Sequence, residues 1–98
     1  MPNFIPPGTI TTDGDYEMNT RPGREHLLTL KGTWDGATLT LYTLDDASGS
    51  YVAVNSGSWT ANAEPRFIAP SSSCRLTMTN DGASTSITVS LTPITNGR

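Results

Sequence analysis

Residues 74–79 read Cys-Arg-Leu-Thr-Met-Thr and residues 87–92 read Ile-Thr-Val-Ser-Leu-Thr, and these two stretches decide the fold class. In each, apolar side chains alternate with polar ones, which is the period of a β-strand with one face on a core and the other in solvent. Four further runs are typical of short strands: residues 26–31, 37–43, 51–54 and 67–69. Because no window has a helical period, the sequence predicts an all-β chain.

The regular spacing of these runs favours a single antiparallel β-sandwich or small barrel of about six to eight short strands. A length of 98 residues is enough for one domain. The Asp-Gly pairs at residues 35–36 and 81–82 tolerate the positive φ of tight turns, so each is expected to close a hairpin. Residues 48–50, Ser-Gly-Ser, form a third expected turn.

The first 25 residues differ in composition and are expected to form an extended N-terminal arm, which leaves residues 26–98 as the sandwich domain. Four of the seven prolines lie in this arm, and proline is incompatible with a helix interior or a central strand. Residues 9–12 allow one edge strand there. Phe4 and Ile5 gain little from exposure to water, so both are candidate interface residues of a docked arm. The alternative is a loose terminus.

Charge and composition argue against several partners. The formal charge of −3 and the isoelectric point near 4.7 argue against nucleic-acid binding, which needs a basic surface. No stretch approaches the roughly 18 apolar residues of a membrane span, so no membrane association is expected. The first residues lack the regions of a signal peptide, so the chain is expected to fold in a cytoplasm. A single cysteine, Cys74, excludes an internal disulfide and is expected in the core.

The chain is predicted not to be an enzyme. Nucleophilic catalysis needs a nucleophile, a base and a group that orients the base. The one histidine, His26, stands at the start of a strand, and no serine lies in a Gly-x-Ser-x-Gly sequence. No catalytic residue and no cofactor are therefore predicted.

Two groups of carboxylates are the sequence's candidates for calcium ligands, because calcium accepts oxygens from flexible loops. One group contains Asp13, Asp15 and Glu17, and the other is the pair at residues 45–46. Neither matches the spacing of a helix–loop–helix calcium site. Solvated turn carboxylates are the ordinary explanation, so no metal site is predicted.

Two tryptophans and one arginine are candidate contact residues. Trp34 adjoins the first Asp-Gly pair, and an exposed tryptophan there or at Trp59 can stack on a sugar or anchor a protein interface. The alternative is that both indoles close the ends of a small core. Arg24 is a candidate for an interface ion pair, with a solvated charge as its alternative.

Residues 32–41 read Gly-Thr-Trp-Asp-Gly-Ala-Thr-Leu-Thr-Leu, and an Asp/Gly/Ser turn, an aromatic and a short valine strand follow at residues 45–54. Phe-Ile-Ala-Pro at 67–70 and Leu-Thr-Met-Thr at 76–79 come later. This succession resembles the small β-sandwich structural proteins of tailed bacteriophages, of the capsid decoration or cement type. The likeness covers about residues 26–92, and Asp35 replaces the first glycine of their usual turn.

The resemblance implies a virion protein that is assembled in the host cytoplasm. Its implied role is capsid decoration, in which the subunit stabilises the shell by bridging major capsid subunits. A homo-oligomer is implied, with a trimer favoured because three-fold symmetry suits many capsid positions. Two alternatives stay open. One is another virion component, such as a head–tail connector, tail or fibre module; the other is a carbohydrate-binding or adhesin-like module that stacks sugars on Trp34, Trp59 or Tyr51.

Overall fold

The computed structural model describes residues 4–45 and 47–94, apart from the side chains of residues 55 and 56. Within these residues the chain is all-β. Its eight strands are β1 (Gly8–Ile10), β2 (Gly14–Asn19), β3 (Glu25–Thr33), β4 (Thr38–Asp45), β5 (Ser50–Trp59), β6 (Arg66–Ile68), β7 (Ser73–Thr79) and β8 (Ser86–Pro93). The predicted β-sandwich is confirmed.

The strands form two four-stranded antiparallel sheets, sheet A in the order β1-β8-β3-β6 and sheet B in the order β2-β7-β4-β5. The pairs β1·β8, β2·β7, β3·β6 and β4·β5 join the first half of the chain to the second half in reverse order. The two halves of the chain are therefore antiparallel to each other, like the two arms of one long hairpin that is folded into two sheets. Pairing of β3 with β8 and of β4 with β7 then closes each sheet. This arrangement of eight strands is a jelly roll.

The core lies between the two sheets and follows the alternation along each strand. Inward side chains of the central strands β3, β4, β7 and β8 are almost completely buried, whereas their neighbours in sequence face outward. The buried apolar residues of these four strands are Leu28, Leu30, Leu39, Leu41, Cys74, Leu76, Met78, Ile87 and Val89. The burial of Cys74 raises the pKa of its thiol to about 12, so the thiol stays protonated and unreactive, as expected for a core residue.

Most of the segment expected as an arm belongs to the sheets. β1 is one of the two outer strands of sheet A and β2 is one of the two outer strands of sheet B, and they bury Ile10 and Met18 in the core. The sandwich therefore begins at Gly8 and not at residue 26. The physical reason is that the prolines lie outside the strands: Pro7 directly precedes β1, and Pro22 lies in the turn between β2 and β3.

The two Asp-Gly pairs do not close hairpins, and that expectation was wrong. β3 and β4 lie in different sheets, as do β7 and β8, so each Asp-Gly pair lies in an arch that crosses between the sheets. Among the strands of the described residues, only β4 and β5 are consecutive in the chain and neighbours in one sheet. Their connection contains the expected Ser-Gly-Ser turn, with Gly49 at φ 72°. Positive φ at Asp35 and Gly36 turns the first arch, and positive φ at Asn80 turns the second.

The two arches contact each other at one end of the sandwich. The Asp35 carboxylate accepts a hydrogen bond from the Ser84 backbone N–H at 2.8 Å. The Thr85 hydroxyl donates to the Trp34 carbonyl at 2.9 Å. Gly82 packs so closely on Asp35 that a Cβ at this position would collide with the aspartate's side chain and carbonyl. These contacts connect β3 and β4 to β7 and β8, the four central strands of the sandwich.

His26 is a buried member of the core in its neutral form. Its ring stacks on Phe67 with centroids 5.5 Å apart. Nδ1–H donates to the Arg24 carbonyl at 3.0 Å, and Nε2 accepts from the Arg21 N–H at 3.1 Å. Burial lowers the pKa of His26 below its ordinary value of 6.5. A second ring proton, on Nε2, would point at the Arg21 N–H and replace a hydrogen bond with a repulsive contact. The neutral imidazole therefore has a structural role.

The protein should lose stability as the pH falls through about 6.5, because the unfolded chain takes up the His26 proton before the folded chain does. For one proton the slope should not exceed about 1.4 kcal/mol per pH unit. Urea unfolding between about pH 7 and pH 5 measures this slope. A His26→Gln variant is the control and should show a flatter profile; an unchanged slope in that variant would contradict the assignment.

Candidate protein-interaction surface

The outward face of sheet B places a set of large side chains side by side. In register, Arg75 on the inner strand β7 is opposite Glu17 on β2 and opposite Tyr42 on β4. Tyr51 on the edge strand β5 is opposite Leu44 on β4. All five side chains are partly buried although they lie on the solvent side of the sheet. We call Glu17, Tyr42, Leu44, Tyr51 and Arg75 the tyrosine–arginine patch.

Arg75 and Tyr51 hold the patch in one geometry. Arg75 Nη2 donates to Glu17 Oε2 at 2.8 Å, and the guanidinium carbon lies 4.0 Å from the centre of the Tyr51 ring. The Tyr51 hydroxyl is hydrogen-bonded to the Ser73 hydroxyl at 2.7 Å. Because both Ser73 and Arg75 belong to β7, the Tyr51 side chain spans the intervening strand β4. These side-chain contacts connect β2, β5 and β7 on the outward face of sheet B.

Electrostatics keep the arginine charged. The hydrogen bond that Arg75 donates to the Glu17 carboxylate is the main cause that raises the pKa of Arg75 above its ordinary value. The ion pair is only about one-quarter exposed, with side-chain exposures of 28% and 27%. It is therefore less screened than the Lys31–Glu64 pair, whose side chains are 58% and 57% exposed. A cation over a tyrosine ring adds about 0.5–1 kcal/mol at such a site.

The patch has the composition of a protein interface. Tyrosine and arginine are enriched at the centres of interfaces, where a rim of polar groups surrounds them. Here the rim is supplied by Asp15, which accepts from the Thr77 hydroxyl at 2.8 Å, and by the Thr40–Ser58 hydroxyl pair at 2.9 Å. The outward face of sheet A is different, because its central strands present no aromatic side chain there. They present Glu25, Leu27 and Lys31 of β3, and the exposed Ile68 of β6 lies opposite Glu25. The other outward residues of the central strands are Ser and Thr: Thr29, Thr33, Ser86, Thr88, Ser90 and Thr92.

The two tryptophans that are candidate contact residues, Trp34 and Trp59, pack against the core and do not form an open surface for stacking a ligand. Trp34 is buried, and its Nε1–H donates to Asn62 Oδ1 at 2.9 Å. Trp59 pairs with Leu39 across the sheet and packs against the core while partly exposed. The arrangement matches the alternative in which the indoles close the core.

The predicted contact residues near the N-terminus separate into three environments. Phe4 packs on its own subunit: its N–H donates to the Glu17 carbonyl at 3.0 Å, and its ring meets Tyr16 edge-on at 5.9 Å. Ile5, the next residue, is 85% exposed. Arg24 is exposed in the turn between β2 and β3. Of the predicted interface residues, Ile5 is therefore the apolar side chain that is most open to a partner.

The acidic groups have partners within the chain. Asp13 and Asp81 each accept from the other's backbone N–H, at 3.1 and 2.8 Å. Asp45 accepts from the Ala47 N–H and the Ser48 hydroxyl, while Asp46 lies outside the described residues. In the part of the chain that the structure describes, no group of three or more His, Cys, Asp or Glu side chains is arranged to hold a metal ion.

Comparison with protein-family models, curated proteins and solved structures finds no match to this chain. Among the described residues no helix is long and apolar enough to cross a membrane.

The sequence holds one signal that points to the patch. Leu39 and Leu41 mark the inward positions of β4, so Tyr42 and Leu44 must point outward, where polar residues are usual. Two apolar side chains on an outward face indicate a contact surface. The contribution of Arg75 and Tyr51 needs the strand order, because it depends on β4 lying between β5 and β7.

Replacing Arg75 with Ala should lower the free energy of unfolding by about 1–2 kcal/mol, because the change removes both the ion pair and the guanidinium–ring contact. Glu17→Gln, which removes the charge of the ion pair but leaves the guanidinium–ring contact in place, should cost about 0.5–1 kcal/mol. Urea unfolding measures both values. Lys31→Ala is the matched control at the exposed ion pair and should change stability by less than about 0.5 kcal/mol. Equal effects of Arg75→Ala and Lys31→Ala would contradict the ordered patch.

Proposed function

We propose that this chain is a structural component of a bacteriophage particle, a decoration subunit that binds the capsid shell and bridges neighbouring capsid subunits. The observation that carries the proposal is the tyrosine–arginine patch on sheet B. It places two tyrosines and an arginine side by side on one face, whereas the central strands of the opposite face carry Ser and Thr together with Glu25, Leu27 and Lys31 and present no aromatic side chain. Such an asymmetric protein is suited to dock one face on a protein surface.

The rigidity of the patch favours tight docking on a protein. Three of its side chains, those of Glu17, Tyr51 and Arg75, are already ordered by the Arg75–Glu17 and Tyr51–Ser73 contacts, so these three lose little conformational entropy when a partner covers them. Short Ser and Thr side chains around it add to this advantage, since they have few rotamers to lose. Ile5 provides a further apolar contact beside the proline pair at residues 6–7.

The virion assignment draws on two kinds of similarity. Jelly rolls with eight strands are used in viral capsid domains, and also in lectins and cupins. Because one fold serves many functions, this topology supports the proposal only by analogy. The sequence resemblance across about residues 26–92 favours the phage structural proteins among these groups. A tail, connector or fibre module uses the same kind of contact surface and is the nearest alternative.

A binding experiment with empty shells of the parent phage tests the proposal. The purified protein should bind the shells and reach saturation at a number of copies set by the shell's symmetry, measured by sedimentation and quantitative gel analysis. Tail tubes and a glycan array are the parallel samples. Binding to tails alone would replace decoration with the tail alternative, and binding to glycans alone would replace it with a carbohydrate module.

Variants of the patch test which face binds. Tyr42→Ala combined with Tyr51→Ala should weaken shell binding by about 30-fold or more, the loss expected when two central aromatic contacts are removed. The matched control is Thr88→Ala on the outward face of sheet A, which should leave binding unchanged. Circular dichroism and thermal unfolding check that each variant is folded. Shell binding that survives loss of both tyrosines would show that the patch is not the docking face.

A further inference from the structure

The four edge strands of the sandwich differ in how well they are protected. An edge strand has unpaired backbone N–H and C=O groups that can pair with another chain. Natural proteins protect such edges with charges, proline, short length or a covering segment. In the described residues the edges are β1 and β6 of sheet A and β2 and β5 of sheet B.

Three of these edges are protected. β1 and β6 have three residues each, and proline stands just before β1 and near both ends of β6. β2 carries Asp15 and Glu17, and the Phe4 N–H already occupies the Glu17 carbonyl. Each feature is a known barrier to strand pairing.

The fourth edge, β5, has no such protection in its first half. β5 is the longest strand, with ten residues, and its sequence Ser-Tyr-Val-Ala-Val-Asn-Ser-Gly-Ser-Trp contains neither a charge nor a proline. Residues 50–53 pair regularly with β4, and a register shift interrupts the pairing between Ala53 and Ser58. Such an irregularity itself protects an edge, so the unprotected part of β5 is its first half. Val52 is 51% exposed on this edge although its partner position, Thr43, is on the core side of β4.

We propose that residues 50–54 of β5 pair with the same residues of a second copy of this chain, antiparallel and across a two-fold axis at Val52. The proposal does not depend on the virion role. In this register Val52 is opposite Val52 of the second copy, and Tyr51 is opposite Ala53 of that copy. Sheet B becomes continuous through the two subunits, with eight strands.

A second copy fits this edge for physical reasons. The segment carries no charge, so pairing it with itself creates no like-charge repulsion. The Tyr51–Ala53 pairing combines a large with a small side chain, which packs without a steric conflict. The symmetry also brings the two tyrosine–arginine patches onto one continuous face, because Tyr51 belongs to both the edge and the patch. Two-fold symmetry replaces the trimer that the sequence resemblance favours.

Light scattering and sedimentation across micromolar to millimolar concentrations test the pairing. The unmodified chain should be a dimer whose dissociation constant rises at least about tenfold in Val52→Lys, since a charge on an edge strand opposes pairing. The matched control is Thr9→Lys on β1, an exposed edge position of the same size, which should leave the dimer unchanged. A monomer at all concentrations, or a trimer unaffected by Val52→Lys, would overturn the proposal.

Cross-linking gives an independent test that does not require the lysine variant to fold. Val52→Cys places the two introduced thiols opposite each other, within the 4.4–6.8 Å Cα separation that a disulfide needs. Cys74 is buried and its pKa is raised to about 12, so it stays unreactive. With diamide as the oxidant, Val52→Cys should form a disulfide-linked dimer much faster than Thr9→Cys. Equal rates for the two variants would overturn the pairing.

Discussion

The contact between the two arches is the constraint on which the rest of the sandwich depends. The arches connect β3 to β4 and β7 to β8, so their contact determines how the central strands of the two sheets are placed over each other. The Asp35 carboxylate accepts from the Ser84 N–H of the second arch, and the missing Cβ of Gly82 lets that arch pack closely on Asp35. Trp34 extends the contact to a third loop through Asn62, which also accepts from the Gly32 N–H. The outer strands then pair with central strands whose positions this contact has already determined.

Alternation within a strand is enough to predict which side chains face the core. Leu28, Leu39 and Leu76 stand at inward positions in the sequence pattern, and all three are fully buried. The expected strands lie almost wholly within the observed ones for the same reason: hydrophobic period is a local property. The fold class follows from it.

Such local patterns predict neither the order of the strands in the sheets nor the candidate interaction surface. An Asp-Gly pair reports where the backbone takes a positive φ, but the next strand can pair beside the previous one or cross to the other sheet. The N-terminal segment was mispredicted for a similar reason. Pro7 and Pro22 lie just outside β1 and β2, so these prolines mark strand boundaries and do not prevent strands from forming. Tyr51 and Arg75 meet only because β4 lies between their strands, and Trp34 is buried because a distant loop supplies Asn62.

The reverse pairing of the two halves of the chain has a consequence for how the protein reaches its fold. Of the strand pairs in the described residues, only the β4–β5 hairpin joins segments that are close in sequence. Each of the others must close a long loop, which is the slow step in folding of β proteins. Once that hairpin forms, it brings β3 near β6, and the same step then repeats for β2 with β7 and β1 with β8. We therefore expect folding to proceed as a zipper from the middle of the chain toward both ends. During synthesis on the ribosome, β1 emerges first but can pair only after β8 has emerged. This outer strand of sheet A would therefore be the last to pair.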